Sequence, residues 1–149
     1  MPGGAIAVAS DHAGFDLKEI LKRDLQEAGL EVLDLGTNSN QSVDYPDFGI
    51  AMADAVASGK AQRGVLVCGT GIGISMAANR NPKVRAALVH DVTSARLSRE
   101  HNDANVAAFG ARLIGPETAR DALRVFLATS FDGGRHAGRV AKLSGEPTT

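Results

Sequence analysis

One cysteine, Cys68, stands in the 149 residues of this sequence. An intramolecular disulfide is therefore impossible, and a zinc cluster of several thiolates is excluded. A lone thiol suits a reducing compartment. No apolar run approaches the ~18 residues that a membrane span needs. The opening Met1-Pro2-Gly3-Gly4 lacks a basic stretch, and the apolar run Ala5 to Ala9 is too short for a signal sequence. These absences set the expectation of a soluble, cytoplasmic protein. An excess of one charge is also missing. Lys plus Arg is 16 and Asp plus Glu is 17, a net charge of -1, which argues against a partner such as nucleic acid or an anionic membrane. Repeats, low-complexity tracts and internal linkers are absent too, so the length suits one domain spanning residues 1–149.

What is present is an alternation. Ala5-Ile6-Ala7-Val8-Ala9 is apolar on both faces, as a buried parallel strand is. Phe15 to Ala28 then carries Leu17, Ile20, Leu21, Leu25 and Ala28 on one helical stripe, with Lys18 and other charges opposite or flanking it. Further strands are expected at Glu31–Leu35, Gly64–Cys68, Arg85–Val89 and Asn105–Phe109. Helices are expected from near Pro46 to Ser58, Ile74 to Asn79, Asp91 to Glu100, Pro116 to Thr129 and His136 to Leu143, with a frayed tail beyond. Strands alternating with helices predict an α/β fold, a parallel sheet covered on both faces. Ligands bind such sheets beyond the carboxyl ends of the strands, where the winding reverses. If the first and third strands are neighbours, Ser10-Asp11-His12 and Cys68 to Gly73 line that crevice.

Gly69-Thr70-Gly71-Ile72-Gly73 lets the backbone come close to a ligand and offers N–H groups at a helix start. The dinucleotide fingerprint and the Walker pattern both fail to match it, and a tight turn without a ligand is the plainer alternative. Cys68 is either a small buried hydrophobe or, beside those amides, a base or nucleophile with a lowered pKa. Asp11 reads as a helix cap or a binding group, and His12 as a surface side chain or a binding group. The four histidines, His12, His90, His101 and His136, show no close ligand spacing, so no metal is expected. His101-Asn102-Asp103 either ends a helix or supplies an imidazole able to act as acid or base near neutral pH. Arg135 and Arg139 are four apart, share a helical face, and could grip one dianion such as phosphate.

Taken together, Asp11-His12-Ala13-Gly14, Asp44-Tyr45-Pro46, Cys68 to Gly73, His101-Asn102-Asp103 with Asn105, and Gly133-Gly134-Arg135-His136 resemble ribose-5-phosphate isomerase type B. Galactose- and allose-6-phosphate isomerases share its fold. The resemblance runs from about Ala5 to Val140. It implies a three-layer Rossmann-like sandwich on a five-stranded parallel sheet. It also implies interconversion of ribose 5-phosphate and ribulose 5-phosphate, a pentose phosphate pathway step, through an enediolate without any cofactor. By that resemblance Cys68 is the base that moves a proton between C2 and C1, and Thr70 and His101 assist ring opening. The amides of Gly69, Gly71, Ile72 and Gly73 face the enediolate oxygen. Asp11 and Asn102 bind sugar hydroxyls, and His12, Arg112, Arg135 and Arg139 bind the phosphate. The family is dimeric, with both subunits contributing to each site, which implies a homodimer here and leaves open whether dimers pair into a tetramer. One branch replaces the cysteine with a glutamate after the glycine loop. Here Ser75 and Met76 follow that loop, which leaves Cys68 as the base. The alternatives are the same chemistry on a six-carbon or tetrulose phosphate, a non-catalytic phosphosugar sensor, and a cysteine-nucleophile transferase.

Overall fold

Runs that are apolar on both faces become the three inner strands: β1 (Ile6–Ser10), β3 (Arg63–Cys68) and β5 (Val106–Gly110). The shorter β2 (Val32–Asp34) and β4 (Ala86–Leu88) are half-buried and form the edges. All pairings are parallel, in the order β2-β1-β3-β5-β4. In this computed structural model residues 4–145 are described, so the opening Met1-Pro2-Gly3 and the expected tail at 146–149 lie outside them.

Among the described residues six helices accompany the sheet: α1 (Phe15–Glu27), α2 (Tyr45–Ala57), α3 (Ile72–Ala78), α4 (Val92–Glu100), α5 (Pro116–Ala128) and α6 (Arg135–Leu143). Side chains alternate across each strand, so the sheet feeds two cores. Ile6, Val8, Val65, Val67, Ala107 and Phe109 meet α1, α4 and α5. Ala7, Ala9, Leu66, Cys68, Val106 and Ala108 meet α2 and α3. This is the three-layer α/β sandwich that the alternation predicted. Each large side chain buried this way contributes about 1.5–3 kcal/mol.

Element boundaries fall within one or two residues of the expected ones. Asp91 is the N-cap of α4. Its Oδ1 accepts from Ser94 N at 2.7 Å, and Ser94 Oγ accepts from Asp91 N at 3.2 Å. That reciprocal cap is why Asp and Ser stand there. Two expectations for α1 change. Ala28 is exposed and Ile20 half-buried, although Leu17, Leu21 and Leu25 face the core as expected. Lys18 is fully buried, not on the solvent side. Asp34 at the end of β2 receives its ammonium at 2.8 and 3.0 Å, and Lys22 approaches the same carboxylate at 2.8 Å. A buried lysine is tolerated because that carboxylate is beside it.

Strand direction sorts every loop. Strand-to-helix loops lie at the carboxyl end of the sheet, and helix-to-strand loops at the amino end. The β1–α1, β3–α3 and β5–α5 loops therefore share one end. The α4–β5 corner and the lead into α6 share the other.

Candidate active site

At the carboxyl end, β1 and β3 are neighbours, as the crevice argument required. Gly14 fits α1 tightly against β3, because a Cβ there would collide with the backbone carbonyl of Val67. This brings Asp11 and His12 next to the loop after Cys68. Asp11 is nearly buried, and its Oδ1 accepts from Gly14 N at 3.1 Å. His12 Nδ1 accepts from Val43 N at 3.1 Å. With Nδ1 occupied as an acceptor, the ring carries its proton on Nε2, a donor for an anion.

Cys68 ends β3 with 4% of its surface exposed. Its Sγ accepts from Gly71 N at 3.1 Å. Gly71 adopts φ 79°, and a Cβ there would meet Leu88 and the backbone of Phe109. Only glycine fits that position, and its backbone aims the amide at sulfur. Ile72 N donates to Thr70 Oγ1 at 3.1 Å, which leaves the threonine hydroxyl proton free to donate. The amides of Gly71 and Ile72 are thus engaged within the chain. Arg112 packs over Gly69, whose added Cβ would lie 3.0 Å from its Nη1, and Arg112 N donates to Gly69 O at 2.9 Å. Tyr45, at the start of α2, lies over Gly73. Sequence reading quoted Tyr45 in a motif but gave it no role; the tight glycine at 73 was its one signal.

At the amino end stand the other expected residues. His101 closes α4, and its ring stacks on that of His136, with centroids 4.5 Å apart and planes 16° from parallel. Arg135 and Arg139 rise from the same α6 as His136, and Asn102, next to His101 in the chain, is exposed. Asp103 takes φ 47°, the left-handed conformation that Asp tolerates, and so turns the corner. Its carboxylate receives Arg99 at 2.8 Å and Arg85 at 3.3 Å. Asn105 Oδ1 accepts from Arg85 N at 2.8 Å, and Asn105 Nδ2 donates to Lys83 O at 2.9 Å. Asp103 and Asn105 therefore hold the corner that presents His101 and Asn102.

Two histidines far apart in sequence are thus neighbours, which spacing along the chain had not revealed. Among the described residues, His101, Asp132 and His136 bring their ligand-type atoms within 4.8 Å of one another. Burial pushes His136 below the ordinary imidazole value. The charges of His101, Arg135 and Arg139 push the same way, and Asp132 opposes them.

The expected site residues therefore separate into two groups. Asp11, His12, Cys68, Gly69, Thr70, Gly71, Ile72, Gly73 and Arg112 occupy one end of the sheet. His101, Asn102, Arg135 and Arg139 occupy the other. The six residues of β3 set the distance between the ends at roughly 16 Å, given about 3.3 Å per residue.

The family described as Ribose/Galactose Isomerase matches residues 6–143. A ribose-5-phosphate isomerase B from Clostridium thermocellum superposes with a TM-score of 0.94 at 50% identity, covering 95% of each chain. The chain is 45% identical to ribose-5-phosphate isomerase B of Escherichia coli, over 93% of each chain. It is 42% identical to D-erythrulose-4-phosphate isomerase of Pectobacterium atrosepticum, over 93% of this chain and 92% of that one.

Proposed function

The chain belongs to the ribose/galactose isomerase family, and on that premise we propose that this aldose–ketose isomerase interconverts D-ribose 5-phosphate and D-ribulose 5-phosphate with Cys68 as the base. The observation that carries the reading is the sulfur at the end of β3, held by the Gly71 amide beside Asp11, His12 and Thr70.

The reaction needs a ring-opening acid, a base, an anion hole and a handle remote from the reacting carbons. Thr70 and His101 open the furanose: His101 gives a proton to the ring oxygen as the C1–oxygen bond breaks, and the C1 hydroxyl gives up its proton to restore the imidazole, leaving the C1 aldehyde. The Cys68 thiolate then takes the proton from C2, and the electron pair moves into the C1–C2 bond of an enediolate. The thiol returns that proton to C1, and the proton leaving the C2 hydroxyl goes to the C1 oxygen, so atoms and charge balance. A positioned base contributes typically ~10²–10⁴-fold. The Gly73 amide, in the first turn of α3, faces the developing oxyanion, while those of Gly71 and Ile72 are held by Cys68 Sγ and Thr70 Oγ1. Each such donor is worth on the order of 10²–10³-fold. His12 Nε2–H and Arg112 grip the phosphate from one end, with Arg135 and Arg139 from the other. Tyr45 and Asp11 line the sugar.

His101 acts on the ring oxygen and Cys68 on C1 and C2 of the same sugar, yet one chain holds them at opposite ends of its sheet. A pentose phosphate is too short to bridge that gap. The reading therefore includes a symmetric dimer in which the partner brings its amino-end group to this chain's carboxyl end. Exposed apolar side chains support a second copy: Met76 is 64% exposed and Leu143, on the α6 helix with no buried residue, 62%. No metal or cofactor enters any step.

The test is side-by-side turnover of ribose 5-phosphate, allose 6-phosphate and a tetrulose phosphate. The highest kcat/KM is expected on ribose 5-phosphate. A preference for either rival moves the assignment to that sugar.

A further inference from the structure

We propose that His101, Asp132 and His136 form a binding site for a divalent transition metal of the zinc class, and that the bound ion inhibits the enzyme. Two separate segments supply the ligands: the end of α4 gives His101, and the stretch leading into the first turn of α6 gives Asp132 and His136. Their ligand atoms lie within 4.8 Å of one another. On a tetrahedral zinc with bonds of about 2.0–2.2 Å, ligand atoms stand about 3.3 Å apart. Binding turns the two rings out of their stack, in which they lie 16° from parallel, so that their lone pairs converge with the carboxylate of the exposed Asp132.

The frame is already built. Asp132 N donates to Glu100 O at 3.0 Å, tying the loop to the end of α4. Arg99 Nε donates to Thr129 O at 3.1 Å, fixing the same loop from the other side. Gly133 and Gly134 take φ 65° and 55°, and this turn leads the chain from Asp132 into α6. Arg135 and Arg139 stand nearby and repel any cation held by charge alone. Magnesium and calcium, which need several oxygens, are therefore disfavoured, whereas two imidazoles and a carboxylate suit zinc, nickel or copper.

Metal bonded to His101 occupies the lone pair that would carry a proton. Inhibition thus rests on His101 being the ring-opening acid, while binding does not. The experiment titrates the full-length, metal-free chain with Zn²⁺ against a chromogenic chelator. One equivalent per chain is expected, with affinity weakened by at least about tenfold in Asp132→Asn and in His136→Gln, a loss of about 1.4 kcal/mol or more. Cys68→Ala keeps the equivalent. Mg²⁺ and Ca²⁺ do not compete. In the isomerase assay Zn²⁺ suppresses turnover, a chelator restores it, and Asp132→Asn turns over normally while resisting Zn²⁺. Absence of a stoichiometric equivalent, its survival in both ligand variants, or its loss in Cys68→Ala overturns the site. Binding that leaves turnover untouched keeps the site but overturns the inhibition, and removes His101 from ring opening.

Discussion

The two ends of the sheet are built from different materials. The carboxyl end is made of close backbone approaches. Gly14 against Val67, Gly71 against Phe109, and Gly73 under Tyr45 leave no room for side chains, and main-chain amides point at Cys68 and Thr70. The amino end is made of charge. Arg85 and Arg99 converge on Asp103, and two imidazoles stack above that corner. An enediolate spreads charge over atoms that amides can reach without desolvating a side chain. A dianion and a proton relay instead call for guanidinium and imidazole groups. One chain holds both halves, at opposite ends of its sheet, and the dimer proposed above is what would join them.

The largest effect breaks the comparison outright. Cys68→Ala should lower kcat by about 10²–10⁴-fold with the fold intact by circular dichroism; near-normal turnover removes the thiol as base. Mixing that variant with His101→Ala sharpens the result. Random exchange in a symmetric dimer leaves one intact site in half of the dimers, so about a quarter of wild-type activity should return. No recovery would mean that each site is complete within one chain.

A smaller effect probes the charged corner. Asp103→Ala leaves the nearly buried Arg99 without its carboxylate and should destabilise by about 3 kcal/mol in denaturant unfolding, because an unpaired buried charge is strongly unfavourable. Hydrogen bonds from Arg99 to Ala104 O and Thr129 O limit the loss. A change below ~0.5 kcal/mol would make the corner incidental. Arg135→Ala should raise KM by about tenfold or more with kcat little changed, since a charge-assisted hydrogen bond is worth about 1.5–3 kcal/mol. An unchanged KM takes Arg135 out of the phosphate grip.

The smallest effect is a pH slope. His136 binds its proton less readily folded than unfolded, so its contribution to stability is complete above the ordinary imidazole value of 6.5 and is lost as pH falls toward the folded value. His136→Gln should flatten that part of the stability–pH curve. An unaltered slope would show that the ring titrates as in water.

Much of this was written in local patterns. Apolar pentapeptides flanked by glycine and cap residues can only be buried strands in an alternating α/β chain, and the elements formed within a residue or two of that reading. The position of His101 after a helix and before a strand already places it at the amino end, because all helix-to-strand loops of a parallel sheet lie there. That signal separates it from Cys68 without any coordinates. The burial of Lys18 was not legible, because a lysine on a helix ordinarily faces water and its partner Asp34 is sixteen residues away. The pairing of His101 with His136 was equally hidden, since nothing in either segment specifies the other.

The order of the residues therefore determined the architecture, the strand ends where glycine and polar groups collect, and the identity of the thiol. These follow from periodicity and backbone sterics, which act over a few residues. The tertiary structure alone decided which distant groups meet: the stacked imidazoles, the lysine inside its carboxylate cage, and the tyrosine over a glycine. Those contacts depend on how layers pack across the sheet, and packing couples segments that share no local pattern.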